Sequence, residues 1–145
     1  MESLEFLTFR KKLHKTQDEM AKLLGVSVKA VRSYEQGWRS VPSHVERQIM
    51  FLTSKKEEQL DPQQPCWVIK NCKAANREKC PAWEFQAGTL CWFLYGTECN
   101  NGDAKTWKEK IKLCQNCSAF PTCLKTMFQS GSDKIPNESC FNKHE

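Results

Sequence analysis

The sequence lacks several features that assign a chain quickly to a class of protein. No apolar run approaches the ~20 residues needed to cross a membrane. The N-terminus starts acidic and lacks the apolar core of a signal peptide. Neither a phosphate-binding glycine loop nor a Ser-His-Asp arrangement can be recognised. We therefore expect a soluble, cytoplasmic protein that is not an enzyme and has no membrane partner.

A strong excess of charge is also missing. The chain carries 22 Lys and Arg against 17 Asp and Glu, which gives a net charge of +5 at pH 7. The small excess is shared between the two halves, so no basic tail binds nucleic acid through charge alone. This balance favours a polyanionic partner without requiring one.

Cysteine is absent from residues 1–65, yet the chain has nine cysteines, all between Cys66 and Cys140. Residues 55–65 lose the apolar periodicity of the preceding stretch and end in two prolines, which is typical of a helix end at about Lys55 and Lys56 followed by a linker. We therefore predict four parts. They are a helical domain over residues 1–54, a linker over 55–65, a cysteine-rich module over 66–124 and a loosely ordered tail over 125–145.

Residues 16–37 have the pattern of two short helices joined by a tight turn. Thr16 and Glu19 form a capping box that starts the first helix. Gly25 follows its apolar face, where a left-handed residue ends a helix. Ser27 can cap a second helix, whose buried stripe is formed by Val28, Val31 and Tyr34. This is the layout of a helix-turn-helix.

The same stretch resembles phage-repressor-like (XRE-type) DNA-binding domains, and the likeness extends over about residues 4–53. It rests on Gln17 at the start of a helix, Ala21 and Gly25 at packing and turn positions, and residues 34–37, Tyr-Glu-Gln-Gly. The resemblance implies a mainly α, four to five helix lambda-repressor-like bundle. It also implies a transcription regulator that binds double-stranded DNA, usually as a homodimer on half-sites about one helical turn apart.

The resemblance also suggests which residues contact DNA. It implies that Gln17 contacts a phosphate and that Arg10 and Glu35 form a structural pair. The helical pattern of the second helix leaves Lys29, Ala30, Arg32 and Ser33 pointing outward. We expect Trp38 to pack against a fourth helix, and packing over the sugar backbone is the alternative. The predicted DNA-binding residues are Gln17, Ser27, Lys29, Ala30, Arg32, Ser33 and Arg39.

The cysteine-rich module contains a degenerate internal repeat. Cys66-Trp67 and Cys91-Trp92 begin similar segments, and each segment leads to a further cysteine. Over about residues 65–120 the module resembles the small "two-CW" modules found beside regulatory domains in bacteria. We expect it to be loop-rich, with its tryptophans forming a small core.

Cysteines clustered in a reducing compartment are more typical of metal sites than of disulfides. Cys114 and Cys117 have the spacing of a metal-chelating pair. The candidate ligands, of which a subset would bind, are Cys66, Cys72, Cys80, Cys91, Cys99, Cys114 and Cys117. Zinc and an iron–sulfur cluster both remain open as the metal group.

These features favour a sequence-specific DNA-binding regulator whose module responds to redox state or metal. Two alternatives remain open. The module could be a structural zinc lobe or a protein-interaction lobe that senses nothing. It could also be an electron-transfer or catalytic unit that the helix-turn-helix only localises.

Overall fold

The computed structural model describes residues 1–60, 62–99 and 104–129. Within these ranges the chain forms nine α-helices and one 3-10 helix, and no strand. None of the helices in the described part has the length and apolar character needed to cross a bilayer. The chain divides into two compact units, one formed by Met1–Leu60 with Cys123–Glu145 and the other by Asp61–Thr122. We call them the helical unit and the cysteine-rich unit.

The helical unit contains the longer helices. They are α1 (Ser3–Lys12), α2 (Gln17–Leu24), α3 (Val28–Glu35), α4 (Ser43–Leu60) and α9 (Thr122–Gln129). Its core is formed by side chains that are fully buried, namely Phe6, Phe9, Met20, Val31, Val45, Ile49 and Met50. Phe6 packs edge-on against Tyr34 with 5.4 Å between ring centroids, which joins α1 to α3.

The helix-turn-helix forms as its local sequence predicts. The Thr16 side chain accepts a hydrogen bond from the Glu19 backbone N–H, and the Glu19 side chain accepts from the Thr16 backbone N–H. Gly25 ends α2 with φ 68°, a conformation that other residues rarely adopt. The Ser27 side chain then accepts a hydrogen bond from the Ala30 backbone N–H at the start of α3. The predicted helix-turn-helix is therefore confirmed.

Two boundaries differ from the predicted ones. Helix α4 extends to Leu60, so residues 55–60 of the predicted linker are helical. This stretch is rich in Lys, Glu and Gln, which are good helix formers even where apolar periodicity is lost.

The predicted tail also begins with ordered structure. Residues 125–129 form the last part of α9, in which Leu124 and Met127 are buried. The Phe128 ring packs on Phe9 of α1 at 5.6 Å, and the Cys123 backbone N–H donates to Glu57 Oε1 at 3.3 Å. Helix α9 is therefore a fifth helix of the helical unit. The rest of the predicted tail, residues 130–145 with Cys140, lies outside the described residues.

The cysteine-rich unit is built from short elements. They are α5 (Cys66–Ile69), α6 (Ala74–Arg77), α7 (Pro81–Glu84), a 3-10 helix (Cys91–Phe93) and α8 (Trp107–Gln115). Trp92 is fully buried at its centre, with the rings of Trp107 and Phe120 each 6.3 Å away. Trp92 and Trp107 thus belong to a small core, as expected from the sequence, whereas Trp67 and Trp83 are only half-buried.

Candidate DNA-binding surface and cysteine pocket

The outer side of α3 carries two exposed cationic side chains, Lys29 and Arg32. Ser27, also exposed, uses its hydroxyl oxygen to cap the helix at 3.0 Å from the Ala30 nitrogen. An exposed second helix of this motif is the element that fits the major groove of duplex DNA. Lys29 and Arg32 are therefore exposed on the face of α3 that would meet such a groove.

A hydrogen-bond network extends from α1 to Arg32. Arg10 of α1 donates to the Glu35 carboxylate of α3 through Nε and through a terminal nitrogen, the latter at 3.3 Å. The Gln17 amide of α2 donates to Glu35 Oε2 at 2.7 Å and accepts from Arg32 Nε at 3.3 Å. The predicted Arg10–Glu35 pair is confirmed, and through Gln17 it extends to the outer face of α3.

Ala30 and Ser33 do not point outward, so that expectation is wrong. Their exposed fractions are 6% and 9%, and Ser33 Oγ donates to the Lys29 carbonyl at 2.9 Å. The buried side of α3 consists of Ala30, Val31, Ser33 and Tyr34, whereas Val28 is only half-buried. Because α3 buries two adjacent rows of side chains, its free face is narrower than the predicted stripe implied.

The loop after α3 presents an aromatic and a cationic side chain. Trp38 is 78% exposed, so the expectation that it packs against the fourth helix is wrong. Arg39 is exposed too, and its guanidinium carbon lies 5.9 Å from the centroid of the Tyr34 ring. The Trp38 and Arg39 backbone N–H groups both donate to the Ser33 carbonyl, at 3.0 and 3.3 Å. These contacts hold the loop against the end of α3.

In the cysteine-rich unit, four of the predicted ligands surround one cavity of about 40 Å³. They are Cys66, Cys72, Cys80 and Cys99, and all are half-buried with free thiols. Among the described residues, no three His, Cys, Asp or Glu side chains are placed to hold a metal ion. The four thiols therefore line a cavity and do not converge on the position of a single metal ion.

Aromatic and charged side chains complete the walls of this cavity. Trp67 and Trp83 meet edge to face with ring centroids 4.9 Å apart, and the Arg77 guanidinium lies 4.4 Å from the Trp83 ring centroid. Lys70 and Glu98 also line the cavity. The walls are therefore mainly apolar, with a small excess of positive charge.

Cys91 is buried and forms a hydrogen bond with Cys66, which lines the cavity. This bond lowers the pKa of Cys66 to about 7, because it stabilises the Cys66 thiolate. The same bond, together with burial, raises the pKa of Cys91. At neutral pH, Cys66 is therefore the partner with thiolate character and Cys91 is the donor.

The remaining predicted pair, Cys114 and Cys117, is not among the described residues that line the cavity. Cys114 is buried on α8, and burial raises the pKa of its thiol. Four of the seven candidate ligands therefore line the cavity, and a fifth, Cys91, is hydrogen-bonded to one of them. Cys114 and Cys117, which have the spacing of a chelating pair, are not part of this group.

Sequence reasoning did not identify Lys110, which is a buried cation of this unit with 5% exposure. Its Nζ donates to Thr97 Oγ1 at 2.7 Å, and Cys99 Sγ lies 3.5 Å from that same oxygen. Lys110 occupies the buried side of α8 together with Trp107, Ile111 and Cys114. In the sequence, Lys110 could have been recognised as a charged residue within the apolar stripe formed by Trp107, Ile111 and Cys114.

Gly88 allows the start of α5 to approach closely. Its carbonyl accepts a hydrogen bond from the Cys66 backbone N–H at 2.9 Å. A Cβ at this position would lie 2.4 Å from Pro65 Cβ and 2.8 Å from the Trp67 ring, which is closer than such atoms can approach. The absence of a side chain at Gly88 thus lets Cys66 and Trp67 reach the cavity wall.

Comparison with known proteins bears on the helical unit. A helix-turn-helix family model matches residues 8–43, which span the end of α1, all of α2 and α3, and the loop that follows. The match supports a DNA-binding regulator in general. No curated protein and no solved structure matches the chain.

Proposed function

We propose that the protein is a sequence-specific transcription regulator that reads duplex DNA through the outer face of α3. The observation that carries this proposal is the pair of exposed cations, Lys29 and Arg32, on the second helix of the motif. Arginine and lysine are the side chains that most often recognise guanine through its O6 and N7 acceptors. Both residues are therefore placed to contact base edges or the phosphates beside them.

The hydrogen-bond network supports this use of Arg32. A long cationic side chain loses rotamer freedom when it binds, and this loss opposes binding. The contact between Arg32 Nε and Gln17 Oε1 restricts the side chain before DNA arrives. The terminal nitrogens of the guanidinium are then available for a bidentate contact.

The surrounding residues provide contacts to the DNA backbone in this proposal. Ser27 and Arg39 are exposed at the two ends of α3 and are suited to phosphate oxygens. Trp38 lies beside Arg39 and can pack over a sugar. The function of Gln17 is to position Arg32, and a direct phosphate contact by its amide remains an alternative role. A homodimer would place two copies of α3 in successive major grooves.

The cysteine-rich unit is proposed as the part that responds to a signal. It places four free thiols around one cavity, and thiolates are the ligands of zinc and of iron–sulfur clusters. A change of metal content or redox state there would alter the affinity of the protein for its operator. Such a regulator would act in the cytoplasm.

The DNA-binding proposal can be tested on duplexes that the protein itself selects. They are first isolated from a random library with the wild-type protein, and affinities are then measured for Lys29→Ala/Arg32→Ala. We expect at least a roughly 30-fold loss, since each specific contact contributes about 1–3 kcal/mol. The control is Lys22→Ala/Lys55→Ala, which removes the same charge from exposed positions on α2 and α4 that pair with Asp18 and Glu58.

The control variant should bind the selected duplex within about threefold of wild type, because surface pairs contribute little. Equal losses in both variants would mean that overall charge drives binding, and that α3 does not read sequence. Equal affinity of wild type and Lys29→Ala/Arg32→Ala would also refute the proposed surface.

A further inference from the structure

We infer that the cysteine-rich unit binds an iron–sulfur cluster through Cys66, Cys72, Cys80 and Cys99. This inference rests on the proposed responsiveness of that unit and names its chemical basis, but it does not depend on DNA binding. It also selects four ligands from the seven that the sequence offers. Four features of the unit support it.

The first feature is the space between the thiols. A cavity of roughly 10–15 Å³ holds one water molecule. The cavity between the four cysteines has about 40 Å³, so it accommodates a group of several atoms. A single zinc ion contacts its sulfur ligands directly at about 2.3 Å and leaves no such space between them. Four cysteine thiolates around a polyatomic guest are the ligand set of an iron–sulfur cluster.

The second feature is the charge around the cavity. A thiolate-bound cluster is anionic, and burying an anion requires nearby positive charge or hydrogen-bond donors. Arg77 and Lys70 line the cavity against the single carboxylate of Glu98. Lys110 adds a cation that is 5% exposed, and none of the ion pairs found in the described part of the chain includes it.

The third feature is the relay from Lys110 to one of the four cysteines. Lys110 Nζ donates to Thr97 Oγ1 at 2.7 Å. Once Cys99 is a thiolate ligand, the Thr97 hydroxyl proton is free to point at Cys99 Sγ, 3.5 Å away. Hydrogen bonds and positive charge at the ligand sulfurs favour the more negative, reduced state of a cluster. The relay therefore fits a group that changes charge by one electron.

Apolar walls fit the same guest. Trp67 and Trp83 line the cavity with their rings in contact, and Gly88 lets the segment of Cys66 and Trp67 approach closely. A hydrophobic shell limits solvent access to a metal site and influences its redox potential. The four cysteines thus occupy a half-buried environment suited to a solvent-sensitive group.

The test is reconstitution of the full chain with ferrous iron and sulfide in the absence of oxygen. We expect wild type to retain iron and acid-labile sulfide in equal amounts, with visible absorption. Cys72→Ala, Cys80→Ala and Cys99→Ala should each lose most of the iron, while Cys117→Ala and Cys123→Ala should retain it. Retention of fold in every variant is checked by far-UV circular dichroism.

Several outcomes would overturn the inference. Wild type that binds zinc without sulfide, or that binds no metal, would show that the cavity does not hold a cluster. Loss of iron in Cys117→Ala with retention in Cys72→Ala would place the site elsewhere. A wild type without iron that still binds its selected duplex would refute this inference alone, since DNA binding is measured separately.

The relay has its own readout. In reconstituted protein reduced by dithionite, one electron enters the cluster and no bond is made or broken. Lys110→Met should lower the midpoint potential relative to wild type, because it removes a positive charge that favours the reduced state. Lys110→Arg keeps that charge and should leave the potential near the wild-type value. Equal potentials in Lys110→Met and wild type would contradict the relay.

Discussion

Gln17 occupies the point where the buried and exposed polar groups of the helix-turn-helix meet. An ionised carboxylate accepts hydrogen bonds only, so the contact of Gln17 with Glu35 must use the amide nitrogen. The amide oxygen is thereby directed to Arg32 Nε. The buried Glu35 carboxylate thus orients the Gln17 amide, and this amide orients Arg32, which we assign to the DNA-binding surface.

A double-mutant cycle tests whether Gln17 acts through Arg32. We expect Gln17→Ala to weaken binding to the selected duplex by about fivefold to tenfold, which corresponds to roughly 1 kcal/mol. In an Arg32→Ala background the same change should have less effect, with a coupling energy of at least about 0.5 kcal/mol. The measurement is the affinity of the four proteins of the cycle. Additive losses would instead favour a direct contact between Gln17 and a phosphate.

At the scale of the helices, Glu35 joins three of them. It receives hydrogen bonds from Arg10 of α1 and Gln17 of α2 while belonging to α3 itself. Its side chain is 8% exposed, and that of Arg10 is 15% exposed. Little solvent is present to replace these contacts, so the network should contribute to the stability of the helical unit.

Glu35→Gln should lower the free energy of unfolding by about 2 kcal/mol, as hydrogen bonds to a charged group contribute about 1.5–3 kcal/mol. The matched control is Glu58→Gln, which removes a carboxylate that pairs with Lys55 on an exposed face of α4. That change should cost less than about 0.5 kcal/mol. Urea unfolding followed by far-UV circular dichroism measures both. Similar values for the two variants would argue against a stabilising role for Glu35.

The helices near the N-terminus could be predicted because their signals are local. The capping box at Thr16 and the turn at Gly25 depend on residues within one or two turns. The orientation of Ala30 and Ser33 could not be predicted, because α1 and α2 decide how many rows of α3 are buried. Helix α9 was also missed, because the aromatic contact of Phe128 is with Phe9, far back in the sequence.

At the scale of the whole molecule, the helical unit is completed by residues that follow the cysteine-rich unit. Phe128→Ala should therefore destabilise a unit that begins at the other end of the chain. We expect a loss of roughly 2 kcal/mol in urea unfolding, since the side chain is half-buried and fully buried phenylalanines cost about 3–5 kcal/mol. Phe85→Ala is the control, because Phe85 is 67% exposed in the cysteine-rich unit. An equal effect of the two substitutions would contradict the packing of α9 on α1.

The cavity lined by four cysteines shows what the sequence could not predict about the cysteine-rich unit. The sequence marked where the cysteine-rich unit begins, because cysteine is absent before Cys66. It did not indicate which thiols converge, since the four around the cavity are unevenly spaced and are brought together by short helices and loops. The spacing of Cys114 and Cys117 predicted a metal-chelating pair, but neither residue is among the described residues that line the cavity.

The return of the chain to the helical unit at α9 determines how the protein would respond to a protease. A single cut between α4 and α5 would produce two polypeptides, and the second would still carry α9. That helix contacts α1 through Phe128 and Phe9 and contacts α4 through Cys123 and Glu57. The nicked protein should therefore elute from a sizing column as one particle and resolve into two bands only after denaturation. The cysteine-rich unit is an insertion between α4 and α9, and releasing it requires two cuts.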